Sequence, residues 1–127
     1  MSLAPTDLKL HRKSNTLEIH YPDGINGAVS AEFLRVHSPS AEVQGHGQPI
    51  LQTGKRAVRL TGIDTVGNYA IRLTFDDGHD SGLYSWGLLH HFLVNQETLW
   101  QDYLSKLAAA GERRDPEAEG GVTSFQP

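Results

Sequence analysis

Apolar and polar residues alternate on both sides of one short polar stretch, and that pattern leaves few options besides a β-hairpin. Val58 and Leu60 precede Asp64-Thr65-Val66-Gly67-Asn68, and Tyr69, Ile71, Leu73 and Phe75 follow it. A strand turns successive side chains to opposite faces, so a period of two marks one buried face and one wet one. The spacing predicts antiparallel strands near 56–63 and 68–76, with Tyr69, Ile71, Leu73 and Phe75 sharing the buried face. Leu8-Lys9-Leu10-His11 and Leu17-Glu18-Ile19-His20-Tyr21 repeat the pattern around the polar connection 12–16, which predicts a first hairpin. Tyr21-Pro22-Asp23-Gly24 has the order of a tight turn and ends that pair.

Elsewhere the period changes. Ser30 can cap a short helix over 31–35. Asp76 to Asp80 reads as a turn, and 81–84 as a brief third strand. Ser85 can then cap a helix in which Trp86, Leu89 and Leu93, with Leu88 and Phe92, recur at three- and four-residue spacing, ending near Val94. Asn95 can cap a second helix with an apolar stripe of Leu99, Trp100, Tyr103, Leu104 and Leu107, stopped by Gly111. Hairpins followed by helices predict an α+β fold, an antiparallel sheet with two C-terminal helices packed on one face. Residues 1–6 read as a flexible N-terminus, 7–111 as the domain and 112–127 as a disordered tail, because the last segment offers little apolar surface to offset ordering entropy. Between His37 and Gly54 the chain turns to Ser, Pro, Gly, Gln and His, the composition of a loop; loops of that length inside compact domains often carry function.

At 127 residues the chain can bury a core without a metal or disulfide staple. It has no cysteine, which removes thiolate chemistry and leaves His, Asp and Glu as the ligands for any metal. A net charge of -4, with one small basic cluster of Lys55, Arg56 and Arg59, argues against nucleic acid as a partner. No apolar run approaches a membrane span and Met1 to Leu10 lacks a signal-peptide core, so a soluble, cytoplasmic protein without membrane association is expected. Gly45-His46-Gly47 is too short for a phosphate loop and lacks its Lys and Ser/Thr.

The segments LRVHSPSAEVQGHG (34–47) and VGNYAIRLTFDDGHDSGLYSW (66–86), with WxxYLxxL at 100–107, resemble a small bacterial family named after the N-terminal domain of gamma-butyrobetaine hydroxylase. The likeness runs from Asp7 to about Gly111. It implies a single-domain protein of unassigned function, related to domains found at the N-terminus of that hydroxylase and at the C-terminus of chloroplast scaffold proteins for iron–sulfur clusters. In the hydroxylases the resembling domain holds a structural zinc through three cysteines and one histidine. The histidine matches His79, while the cysteine positions fall on Ser38, Ser40 and Val43, so the resemblance implies an inherited zinc site that has been lost.

His79 therefore has two readings. In one, it rebuilds a metal site for zinc or iron with His37, His46 and an aspartate of its turn, Asp77 foremost. In the other, which is favoured, it hydrogen-bonds without metal within its turn and to a backbone carbonyl of the 37–47 loop, and serves as the polar clip that zinc provides elsewhere. No cofactor is then expected. A third reading makes His79 the acid/base of a small enzyme beside Asp77 or Asp80. No catalytic set can be assembled: Ser38, Ser40 and Ser81 lack a nucleophile-elbow context, and His90 and His91 lie too far apart around a helix to chelate one ion. Arg35 is expected to pair with an acid. The expected function is a noncatalytic binding or accessory domain with an unidentified protein partner; the resemblance points to iron–sulfur assembly machinery and to assistance in metal or cluster handling.

Overall fold

The computed structural model describes residues 3–45 and 47–116. Two three-stranded antiparallel sheets, each a hairpin plus one strand, account for the β structure among them. The first is β1 (Asp7–His11), β2 (Thr16–His20) and β3 (Asn26–Ser30), and the second is β4 (Leu60–Val66), β5 (Ala70–Phe75) and β6 (Leu83–Ser85). Between the sheets come α1 (Ala31–Val36) and α2 (Ala41–Gln44), and after them α3 (Trp86–Val94) and α4 (Gln96–Ala110). The α+β class holds, with its strands divided between two sheets.

One core joins the two sheets: Leu17, Ile19 and Val29 from the first pack in the same cluster as Leu60, Ile71, Leu73 and Phe75 from the second, with Phe33, Leu34, Leu89 and Phe92 of α1 and α3. A smaller cluster of Val36, Tyr103 and Leu107 fixes α4 beside α1. Ile71, Leu73 and Phe75 are buried as the alternation requires, but Tyr69 is 56% exposed. The reason is local. Gly67 adopts a positive φ of 57° in the β4–β5 turn, Tyr69 still belongs to that turn, and pairing begins one residue later with Val66 opposite Ala70. Strand β3 escapes the alternation because Gly27 and Ala28 carry no large side chain. A Cβ on Gly27 would lie 3.3 Å from Leu93, so the glycine lets α3 approach the sheet.

Helix ends follow the sequence with one exception. Ser30 and Ser85 accept from the amides of Phe33 and Leu88 at 3.0 and 3.1 Å. Asn95 makes no such bond; its side-chain amide reaches back to the carbonyl of His91, so it finishes α3 and leaves α4 without a side-chain cap. Gly111 ends α4 in the left-handed conformation, with its own amide bonded to the carbonyl of Ala108 and that of Glu112 to Leu107, the paired pattern of a Schellman stop.

That stop turns the chain back along the molecule, contrary to a tail that is disordered from residue 112. The amides of Gly54 and Arg56 donate to the carbonyls of Arg113 and Arg114, both at 2.9 Å. Polar anchors hold 112–116 where apolar surface is lacking. Residues 117–127 lie outside the described residues.

One side chain in particular stitches the two sheets together. Asn15, in the β1–β2 turn at φ 59°, donates from Nδ2 to the carbonyl of Val58 (2.7 Å) and accepts through Oδ1 from the amide of Leu60 (3.0 Å). Its carboxamide thus pairs with β4 as a strand peptide would, and its backbone carbonyl accepts from the amide of Ala31 (3.0 Å). Asn15→Ala removes both side-chain bonds and places a Cβ residue without compensation in the left-handed region; we expect a loss of about 2–3 kcal/mol, seen as a lower urea midpoint with an unchanged slope.

Candidate functional site

The turn after β5 and the segment after α1 meet beneath a layer of polar side chains. Asp77 and Gly78 form the turn: Oδ1 of Asp77 accepts from the His79 amide (3.1 Å), and Gly78, at φ 91°, donates its amide to the carbonyl of Phe75 (3.1 Å). This sends the His79 ring inward. Its Nε2 lies 2.9 Å from Oγ of Ser38 and 3.4 Å from Oγ of Ser40, and all three residues are buried. Glu42 stands on the other side, its Oε1 3.5 Å from Nδ1 and hydrogen-bonded to the Ser81 hydroxyl. The carboxylate favours the proton on Nδ1, which leaves Nε2 to accept the Ser38 hydroxyl proton.

Around this imidazole every partner is committed. Ser40 Oγ caps α2 through the amide of Val43 (3.4 Å), Ser38 Oγ accepts from the amide of Ser40 (3.3 Å), and Gln44 donates to the carbonyl of Ser38 (2.9 Å). The Tyr84 hydroxyl donates to the carbonyl of Leu34 (2.7 Å) and pins α1 to β6. Asp77 bonds through Oδ2 to Arg35 Nε (2.9 Å) and Lys55 Nζ (2.7 Å). Burial alone would raise its carboxyl, but the bonds from Lys55, the His79 amide and Arg35 together carry it down to about 2. His79 moves below the ordinary imidazole range, through burial first and the nearby Arg35 charge second.

Order along the line Glu42, His79, Ser38 is that of a hydrolytic relay, yet the nucleophile position is closed. Ser38 is 0% exposed, and a Cβ at Gly82 would sit 2.5 Å from its Oγ, so no reacting carbonyl can reach the hydroxyl. Gly82 is required here because the backbone passes over Ser38.

Among the described residues, His79, His37 and Asp77 of the expected metal set are not brought together. His37 caps α1, with Nδ1 donating to the carbonyl of Phe33 (2.8 Å) and its ring packed on Phe33, 4.2 Å between centroids, and near Phe92 and Tyr103. Burial lowers its pKa as well. Asp77 is held by two cations, and His46 lies outside the described residues. Among the described residues no three His, Asp or Glu side chains are grouped to hold a metal ion. Zinc does not fit the donors that surround His79 either, since Ser38 and Ser40 offer hydroxyls and Val43 offers nothing. Sequence reasoning passed over Glu42 and the roles of Ser38 and Ser40. The Ser-Pro-Ser spacing was the available signal, since it sets two hydroxyls before a helix start.

Residues 8–90 match the family described as gamma-butyrobetaine hydroxylase-like, N-terminal. Two solution NMR structures are similar: one is 47% identical over 98% of this chain and 100% of its own, with a TM-score of 0.83, and the other is 49% identical over 98% and 95%, with a TM-score of 0.78. A crystal structure from Acidithiobacillus ferrooxidans ATCC 23270, of a protein with unknown function belonging to the DUF971 family, is 31% identical over 70% of this chain and 91% of its own, with a TM-score of 0.60. No curated protein matches the chain.

His79→Ala strands the Ser38 and Ser40 hydroxyls; we expect a loss of about 1–3 kcal/mol and faster amide exchange at 38–45. Because folding depresses the His79 and His37 pKa values, the unfolded chain binds protons first as pH drops through the unperturbed value of 6.5. Stability should therefore fall on acidification from that point toward the lower folded values. His79→Gln should flatten that decline in pH-dependent urea titrations.

Proposed function

Because the chain belongs to the gamma-butyrobetaine hydroxylase-like N-terminal family, we propose that it acts as a noncatalytic binding or accessory module in which the imidazole of His79 holds the segment 38–45 in a fixed, presentable shape. One observation carries this reading: the buried Ser38–His79–Ser40 cluster joins the segment after α1 to the turn after β5 by hydrogen bonds, at positions where the resemblance implies a zinc site that has been lost. A neutral imidazole suits that duty, because it accepts one hydrogen bond and donates another without bringing an uncompensated charge into the interior.

Two further features support a module. Of the two hydroxyls that His79 meets, that of Ser38 is sealed by Gly82, and that of Ser40 is buried and engaged as the cap of α2, which takes both out of easy reach as nucleophiles. The rim of the site is polar and fully paired through Arg35, Lys55 and Asp77, which suits a structural support for a presented loop more than a reactive centre. No helix among the described residues is long and apolar enough to cross a membrane. The partner we propose is a protein. Iron–sulfur assembly machinery is the first class to try, on the strength of the resemblance to the cluster-scaffold domains.

Tag-free protein purified without chelator provides the test. With and without EDTA the melting temperature should agree, and elemental analysis should find zinc and iron well below one per chain. A stoichiometric metal that disappears in His79→Ala would replace this reading with a metal-binding one.

A further inference from the structure

The described chain ends by laying an arginine into a site made for one. Glu32 sits in α1, a helix whose six residues are all buried, and is itself only 5% exposed. Both of its oxygens are taken by Arg114, Nε to Oε2 at 2.9 Å and Nη2 to Oε1 at 2.6 Å, the parallel two-bond fork that guanidinium and carboxylate form. Trp100 of α4 supplies a second contact of another kind, with the Arg114 guanidinium carbon 5.0 Å from its ring centroid. A buried carboxylate with a flat aromatic face beside it selects a planar cation that can donate two bonds at once, and an ammonium group meets that demand poorly.

What delivers Arg114 is weakly held otherwise. Among the described residues, the segment 112–116 keeps three backbone bonds, from Gly54, from Arg56 and from the Glu112 amide to Leu107 in the helix stop, and an exposed ion pair of Arg56 with Asp115 at 3.3 Å, a kind of contact that contributes little. Beside the fork lies an open cleft of about 570 Å³ lined by Phe33, Leu93 and Trp100 as well as Glu32 and Arg114. It has room for the residues that would flank an arginine from elsewhere.

We propose that Glu32 and Trp100 form a guanidinium-recognition site, filled in this chain by its own Arg114 and able to accept instead an arginine of a protein partner, with release of the 112–116 strap. The site is separate from the His79 cluster, so its fate does not depend on the module reading.

Arg114→Ala provides the test, with N-acetyl-arginine methylamide as the probe and the Trp100 indole resonance and the Gly54 and Arg56 amide protection as readouts. In the variant the two amides should lose protection, and the probe should produce saturable shifts at Trp100. The N-acetyl-lysine analogue should bind at least tenfold more weakly, and Glu32→Gln added to Arg114→Ala should abolish the response. In the unmodified protein the probe should bind at least tenfold more weakly than in Arg114→Ala, and at saturation it should expose the Gly54 and Arg56 amides. Trp100→Leu in the Arg114→Ala background gives a second arm, with weaker binding read from the Phe33 and Leu93 resonances. Equal affinity for the lysine analogue, equal affinity in the presence of Arg114, binding undiminished by Glu32→Gln, or no saturable binding to Arg114→Ala would each overturn the proposal.

Discussion

Two opposite charges buried in one short helix set the terms for the rest of the molecule. Glu32 and Arg35 lie three residues apart on α1, 5% and 7% exposed, and neither is paired with the other. Removing such groups from water without a partner costs several kcal/mol, so each must recruit a counter-charge from distant chain. Arg35 draws in Asp77, 42 residues away, and Glu32 draws in Arg114, 82 residues away. The first pairing brings the β5–β6 turn, and His79 with it, up to the segment after α1. The second folds the strap back across the body. The helix thus works both as a packing element, through Phe33 and Leu34, and as a hub whose charges draw two remote segments to it.

Much of the frame was legible from local pattern. Period-two alternation located both hairpins, and the serine caps at 30 and 85 fell where the side-chain oxygens indeed accept. Tyr69 misled because alternation is indifferent to whether a residue stands in the strand or in the last place of its turn. Asn95 misled because an Asn at a junction between helices can serve either neighbour, and the carbonyls ending α3 were the nearer acceptors. Strand β3 carries one large apolar residue, and only its partners in space identify it.

At the candidate site the sequence revealed the participants better than their bonds. Asp77 and His79 stood out as turn residues, and Arg35 was read as needing an acid. Nothing local, however, says that Ser38 and Ser40 meet His79 across roughly forty residues, and the favoured clip takes a backbone carbonyl of the loop as its partner where the structure has two serine hydroxyls. His37 and Asp77 had the right chemistry for a ligand set but prior commitments, one to a helix end and an aromatic nest, the other to two cations. The strap was the least legible part. A charged, Pro/Gly-rich stretch has no core to offer, and its order depends on a receptor carboxylate far upstream.

The carboxamide of Asn15 bears on the order in which the protein assembles. Both hairpins close over short loops and can form independently, whereas the seam between the sheets joins residue 15 to 58 and 60 and gains nothing until the intervening chain has been gathered. A contact of that kind belongs to the late side of the folding barrier. Weakening it would leave the folding rate nearly untouched and shorten the lifetime of the native state, so that the seam acts as a kinetic lock on a molecule whose halves form early.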